Sequence, residues 1–480
     1  MAQLDLKGAV LSLIQQAAQP TAEKLHMPDT LVVDEALLGD FPWYWQVGTN
    51  FNAKTFSWLN NVFAYNAADG YVGTNLQNFG TEFFNVLMDT RYVLNATDAA
   101  TLNAANLKNA TVVNSIIADW TTTQGAFPNG TTTQMSQLNY VMGQVLTWGV
   151  KGLTLGQLRS SLNPMSLLPN IPLGGDQVVN DLMTYLGDTS SVANIQAAVV
   201  SANNQLAQTR ANILPAPAQV TPGWMQIIFD NGQTLIVPQL TIAESTAQIQ
   251  NNLLPSEGTG TQVNCSFTAS KMSSTKVKVS AEGGAAGIGD IADLFLIEGE
   301  ASASYDLFSF DESVSQIDIA MQFNGVTTVT PAPVSYNVST GTGWYNPAPI
   351  QAAVAYTPGV SGYQFTPNPG LNFATNGNFG FVSRLMISQQ PVVTLTFYTS
   401  NYSAFTQKIQ EQSEWGITFL GIPLAGGSQS YYHATTSQNS NENTVTITMT
   451  PAGITTPVSP TDQLAYVIGA QILWPGAASP

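Results

Sequence analysis

Charge is what this chain has least of. Asp, Glu, Lys and Arg make up 9% of its 480 residues, against about 25% in an average soluble protein. Asn, Gln, Ser and Thr take over the surface, a composition suited to dense assembly or to an extracellular setting. The charges present are mostly acidic: 30 Asp and Glu against 13 Lys and Arg, for a net charge of −17. Phosphate backbones are bound by clustered Lys and Arg. No such cluster occurs, so nucleic acid is not an expected partner. Attraction to anionic lipid is disfavoured for the same reason.

Catalytic and structural chemistry is also thinly supplied. The single cysteine, Cys265, cannot close an intramolecular disulfide. It alternates with Val263 and Phe267 on the apolar phase of a strand-like segment, which predicts a buried structural thiol. The two histidines, His26 and His433, are far apart and have no Cys or His at metal-ligand spacing, so no zinc site is expected. There is no G-x-S-x-G elbow and no P-loop, and Gly287-Ile288-Gly289 is only a fragment of a dinucleotide loop. The reading is a non-enzyme without a cofactor. No apolar run approaches the roughly 18 residues of a membrane-spanning helix. At the N-terminus, Asp5 precedes Lys7, and Ser12, Gln15 and Gln16 interrupt the apolar residues. This predicts a short amphipathic helix ending near Pro20 rather than a secretory signal. A protein made soluble in this way, without a Sec signal peptide, would reach the outside by lysis or through dedicated machinery.

What is present is a globular core: 44% of residues are hydrophobic. The pattern predicts an α+β chain, with an N-terminal mostly helical region followed by a mostly antiparallel β region, an elongated sheet or a sandwich. Residues 1–214 form the helical domain, including an aromatic-rich segment over 41–63 with Trp43, Trp45 and Trp58. Helical spacing begins near Leu76 and recurs through Leu214. Pro215 to Pro222 is the linker. Residues 223–480 form the β domain, opening with a hairpin turned at Asp230-Asn231-Gly232. VVTLTF and TVTITM alternate apolar residues with Thr at period two.

The stretch Val263 to Phe323 carries the most specific pattern. Val263, Cys265, Phe267 and Ala269 alternate with polar neighbours, and Val277, Val279 and Ala281 resume the same odd phase. Ala301, Ala303, Tyr305 and Leu307 hold it on the far side, as do Ile317, Ile319, Met321 and Phe323. Between these arms lies an apolar, Gly-rich centre with Ile288, Ile291, Leu294, Phe295 and Leu296. A membrane-crossing hairpin needs this alternation, because lipid takes one face and water the other. Nine acids lie between Glu282 and Asp318, and no base occurs between Lys278 and Arg384. Crowded carboxylates without counter-charges are expected to titrate high. Glu282, Asp290, Asp293, Glu298 and Glu300 are therefore candidate pH-sensing acids, whose protonation would lift a barrier to membrane entry.

In texture this stretch is similar to the insertion hairpins of β-barrel pore-forming toxins, whose arms are also rich in Ser, Thr and small residues. The resemblance implies a protein that oligomerises on a target-cell membrane or a membrane receptor and inserts a β-hairpin. Two other readings fit the composition. One is a non-catalytic structural subunit of an extracellular or particle-like assembly. The other is a carbohydrate-binding protein or carboxylate-only glycosidase, with glycan stacked on the tryptophans and Glu411 and Glu414 beside Trp415 as a carboxylate pair.

Overall fold

The fold comes from a computed structural model. It describes residues 6–33, 40–67, 70–214, 216–254, 260–273, 276–280, 286–290, 295–297, 313–337, 340–401, 403–407, 417–419, 422–423, 432–439, 441–451 and 464–477. The chain is α+β and divides into two compact units built from separated segments. The first comprises Met1–Phe79, Met225–Ala332 and Leu371–Ala477; the second comprises Gly80–Trp224, Pro333–Gly370 and Ala478–Pro480.

The first unit is organised around a seven-stranded sheet. In chain order its strands are β1 (Gln262–Lys271), β2 (Lys276–Ser280), β3 (Ala286–Asp290), β4 (Val314–Asn324), β5 (Val392–Thr399), β6 (Tyr432–Asn439) and β7 (Thr444–Pro451). Across the sheet the order is β3-β2-β1-β4-β5-β7-β6, and every neighbouring pair is antiparallel. The odd-phase alternation of the sequence becomes one buried face: Val263, Cys265, Phe267 and Ala269 on β1 lie opposite Phe323, Met321, Ile319 and Ile317 on β4. Val393, Leu395 and Phe397 on β5 and Val445, Ile447 and Met449 on β7 extend that face.

Helix α1 (Leu6–Lys24) closes this face. Leu6, Val10, Leu13, Ile14, Ala18 and Ala22 share one core with it, together with Met386, Tyr466 and Ile468. These last three come from a four-stranded sheet of Asp40–Pro42, Leu464–Leu473, Phe381–Ser388 and Thr327–Val329. The helix does not end near Pro20, as the sequence suggested, but passes through it to Lys24. An interior proline costs about 3 kcal/mol. The buried stripe continues beyond it through Ala22, and burial carries the helix on. After β4 the backbone turns at Gly325, with φ +65, where an added Cβ would meet the Leu253 carbonyl at 2.2 Å; only glycine fits there.

The segment 41–63 folds as short strands and the helix Ala53–Leu59, capped by Asn52. The Asp-Asn-Gly hairpin joins Trp224–Ile228 to Thr234–Pro238, as expected. Leu76 lies on a strand, Tyr71–Asn78, rather than on a helix. That strand pairs with Asn61–Asn66, and ladder pairing overrides the apolar spacing.

The second unit is mainly helical. Its helices include Ala96–Lys108, Ala110–Thr123, Gln134–Thr147, Gly175–Asp188 and Ala193–Ala211. Val113, Ile116, Leu138, Val141, Val178, Leu182 and Leu186 form its core. A polar network is embedded beside them. The Tyr185 hydroxyl donates to Asn106 Oδ1, and Gln196 Nε2 donates to the Tyr185 oxygen at 2.7 Å. Arg159 reaches Gln196 Oε1 at 2.5 Å and the Leu186 carbonyl at 3.0 Å. Burial pushes the Tyr185 phenol up to about 12.

Candidate membrane-insertion element

Strands β1 and β4, the ends of the stretch singled out in the sequence, are hydrogen-bonded neighbours from Gln262↔Asn324 to Ser270↔Gln316. The chain between them, residues 272–313, first turns back. Met272 and Ser273 N–H donate to the Lys276 carbonyl, and β2 then pairs with the far edge of β1, setting Val279 opposite Ala269 and Lys278 opposite Ser270. Val277 and Val279 are buried with the core. Ile288 and Asp290 lie on β3, with Lys276 in register opposite Asp290. Phe295 and Leu296 lie on a short strand paired with Ile417–Phe419. Ala281, Ile291, Leu294, Ala301, Ala303, Tyr305, Glu282, Asp293, Glu298 and Glu300 lie outside the described residues.

A second connection of the same kind escaped the sequence reading. Strands β5 and β7 pair directly, Tyr398↔Thr444 through Val393↔Met449, and residues 400–443 run between them. Its strand β6 returns along the outer edge of β7, from Asn439↔Thr444 to Tyr432↔Pro451. The two connections leave the same end of the sheet. The C-terminal end of β1 lies beside the start of β4, where Val314 pairs with Thr399, and Tyr398 in turn pairs with Thr444. Hairpin loops ordinarily take about 2–5 residues. The available signal was the matched Thr alternation of VVTLTFYT and TVTITMT on either side of a long interval.

The outward face of the four inner strands is polar and almost uncharged. Thr394 and Thr448 approach to 3.5 Å, and Thr396 and Thr446 to 3.2 Å. Asp318 is the acid at its centre, and it accepts from Thr268 Oγ1 at 2.8 Å, Gln316 Nε2 at 2.9 Å and the Tyr398 hydroxyl at 2.8 Å. That bond, then burial, raises the Tyr398 phenol. Asp318 is thus a fixed part of the sheet.

The other sequence candidates do not gather into a site. Trp43 and Trp58 are buried, and Phe41 meets Trp58 edge-on with centroids 5.1 Å apart. The sugar-stacking reading requires exposed, coplanar rings. Glu411, Glu414 and Trp415 lie outside the described residues. His26 has φ 58, and its carbonyl accepts from Arg384 at 2.7 Å. His433 lies on β6 opposite Thr450. Cys265 is buried, as expected, and burial pushes its thiol up to about 11. Among the described residues there is no group of three or more His, Cys, Asp or Glu able to hold a metal, and no helix is long and apolar enough to cross a membrane. No family model, curated protein or solved structure matches this chain.

Proposed function

We propose that this is a membrane-damaging protein that oligomerises on a target membrane and forms a β-lined pore by extending its central sheet. One observation carries the reading: two long connections, 272–313 and 400–443, leave the same end of a four-stranded antiparallel core between strands that are already paired. A tilted membrane strand needs about 9–11 residues, and each connection has room for two such strands and a turn. Extended, they would continue β1, β4, β5 and β7 in register. The alternation already present would supply one apolar face and one Thr-rich face suited to a wet lumen.

The edges support the same reading. In this state β2 covers the free edge of β1 and β6 covers that of β7, and both covering strands belong to the connections. Releasing a connection bares a backbone edge able to pair with another copy. Extension and oligomerisation are thereby coupled. The acids of the first connection oppose release into lipid while ionised, so mild acid is the proposed trigger.

The test is a disulfide across β1 and β2, Ser270→Cys with Lys278→Cys, at facing positions. Buried Cys265 does not compete for oxidation. Dye release from liposomes, including vesicles made from target-cell membranes, is expected to rise from neutral to mildly acidic pH. It should vanish in the oxidised variant and return on reduction. Equal release from oxidised and reduced protein would remove the first connection from the mechanism. Absence of release from every vesicle at every pH would sink the pore reading, and regular particles in negative stain without membrane would then favour the structural-subunit alternative.

A further inference from the structure

The two long connections are joined to each other. Strand Phe295–Ile297 belongs to the first, 272–313, and strand Ile417–Phe419 to the second, 400–443. They pair antiparallel as Phe295↔Phe419, Leu296↔Thr418 and Ile297↔Ile417. Each strand lies near the middle of its connection, where the chain is farthest in sequence from β1, β4, β5 and β7. The second connection reverses direction there, since Thr418 and Phe419 also pair with Pro423 and Ile422. Phe419 is fully buried, in the core that β1, β4 and β5 share with α1.

The register of this ladder matches that of β4 and β5, which pair as Ile317↔Phe397. Leu296 lies 21 residues before Ile317, and its partner Thr418 lies 21 residues after Phe397 (317 to 296, 397 to 418). An antiparallel ladder stays in register only when both strands advance by equal steps. A ladder continued from β4 and β5 would therefore arrive at Leu296↔Thr418 in the pairing already present. Among the described residues the steps differ at one place, the shift between Val314 and Gln316. A bulge adds one residue to one strand, and a continuous ladder would draw it out. A slip of one residue turns every side chain to the other face, so fixing the far end fixes which face would meet lipid. We infer that the ladder between Phe295–Ile297 and Ile417–Phe419 is a clasp through which the two connections are released together and extend in one preset register. Its use rests on the proposed pore, whereas the coupling itself needs no membrane. Withdrawal of Phe419 frees both connections at once, so β2 and β6 leave their edges together. A closed ring of copies needs both edges of each.

Hydrogen exchange of the full-length protein in solution, read on the β6 amides by mass spectrometry, tests the coupling. In Ser270→Cys, Lys278→Cys the disulfide ties β2 to β1, at the opposite edge of the sheet from β6. Its oxidation is expected to slow β6 exchange by about tenfold. Adding Leu296→Pro with Ile297→Pro breaks the clasp, because successive residues alternate sides and proline has no N–H to pair. In that variant β6 exchange should no longer respond to oxidation, with circular dichroism unchanged. No slowing in the parent, or equal slowing in the proline variant, would overturn the inference. Dye release supplies a second measurement. Leu296→Cys with Thr418→Cys, at facing positions, ties the clasp shut. The oxidised form should release dye as its reduced form does, because the clasp travels with the connections. Loss of release on oxidation would mean that the two strands must part, and the clasp would fall while the pore stands. If the wild type releases dye from no vesicle, the pore reading falls and the exchange comparison alone decides the clasp.

Discussion

In the sheet unit the polar side chains lie on an outer face, in rows of Thr and Gln around Asp318, and the inner face is closed by apolar contact with α1. In the helical unit the polar groups lie inside, where Tyr185, Asn106, Gln196, Thr189 and Arg159 bond to one another. Apolar burial is non-directional. It gives the sheet strength without specifying a single partner for its edges. A buried network has one geometry in which every group is satisfied, and it fixes the helices in one register. The sheet unit carries its two long connections at one end of its strands, and the helical unit holds its helices through buried polar bonds.

The contrast breaks first at the centre of the sheet. Leu395 on β5 is fully buried between β4 and β7, and Leu395→Ala is expected to cost about 2–5 kcal/mol in denaturant unfolding. The smaller loss should follow from Tyr185→Phe. It keeps the ring but deprives Asn106 and Gln196 of a partner, which costs about 1–3 kcal/mol. If Tyr185→Phe proved neutral, the network would not pin the helices and the comparison would fail.

The same contrast explains how much could be read from the sequence. Period-two alternation at Val263–Ala269 and Ile317–Phe323 gave the buried face directly, because one phase must be inside wherever a sheet covers a core. The Asp-Asn-Gly turn was legible for a local reason. The neighbours of a strand were not. Nothing local says that β2 folds back on β1, or that β5 and β7 pair across 400–443, since pairing is decided by distant partners. The same limit hid the polar network of the helical unit, which joins Asn106 to Tyr185 and Gln196. Each of these residues alone reads as an ordinary polar position on a helix. Proline misled at Pro20 because its local cost was outweighed by burial of the stripe around it.

The finest test of the comparison lies on the surface of the helical unit, where Asp181 on Gly175–Asp188 faces Asp119 on Ala110–Thr123. Gln177 donates to Asp181 Oδ1 at 3.0 Å. Partial burial first, and then the neighbouring Asp119, raise the Asp181 carboxyl above its ordinary value of 3.8. An acid raised in the folded state binds its proton more tightly there than in the unfolded chain. Its ionisation therefore costs stability at neutral pH, and that cost disappears as pH falls through the raised value and below 3.8. Asp181→Asn should stabilise the protein slightly at pH 7 and change nothing well below the ordinary value, as read from melting temperatures across pH. The gain is small because the carboxyl is still partly solvated. A loss of stability at pH 7 would mean that the two helices draw on the ionised carboxylate after all. The helical unit would then use surface charge, as well as its buried network, to hold the helices Ala110–Thr123 and Gly175–Asp188 together.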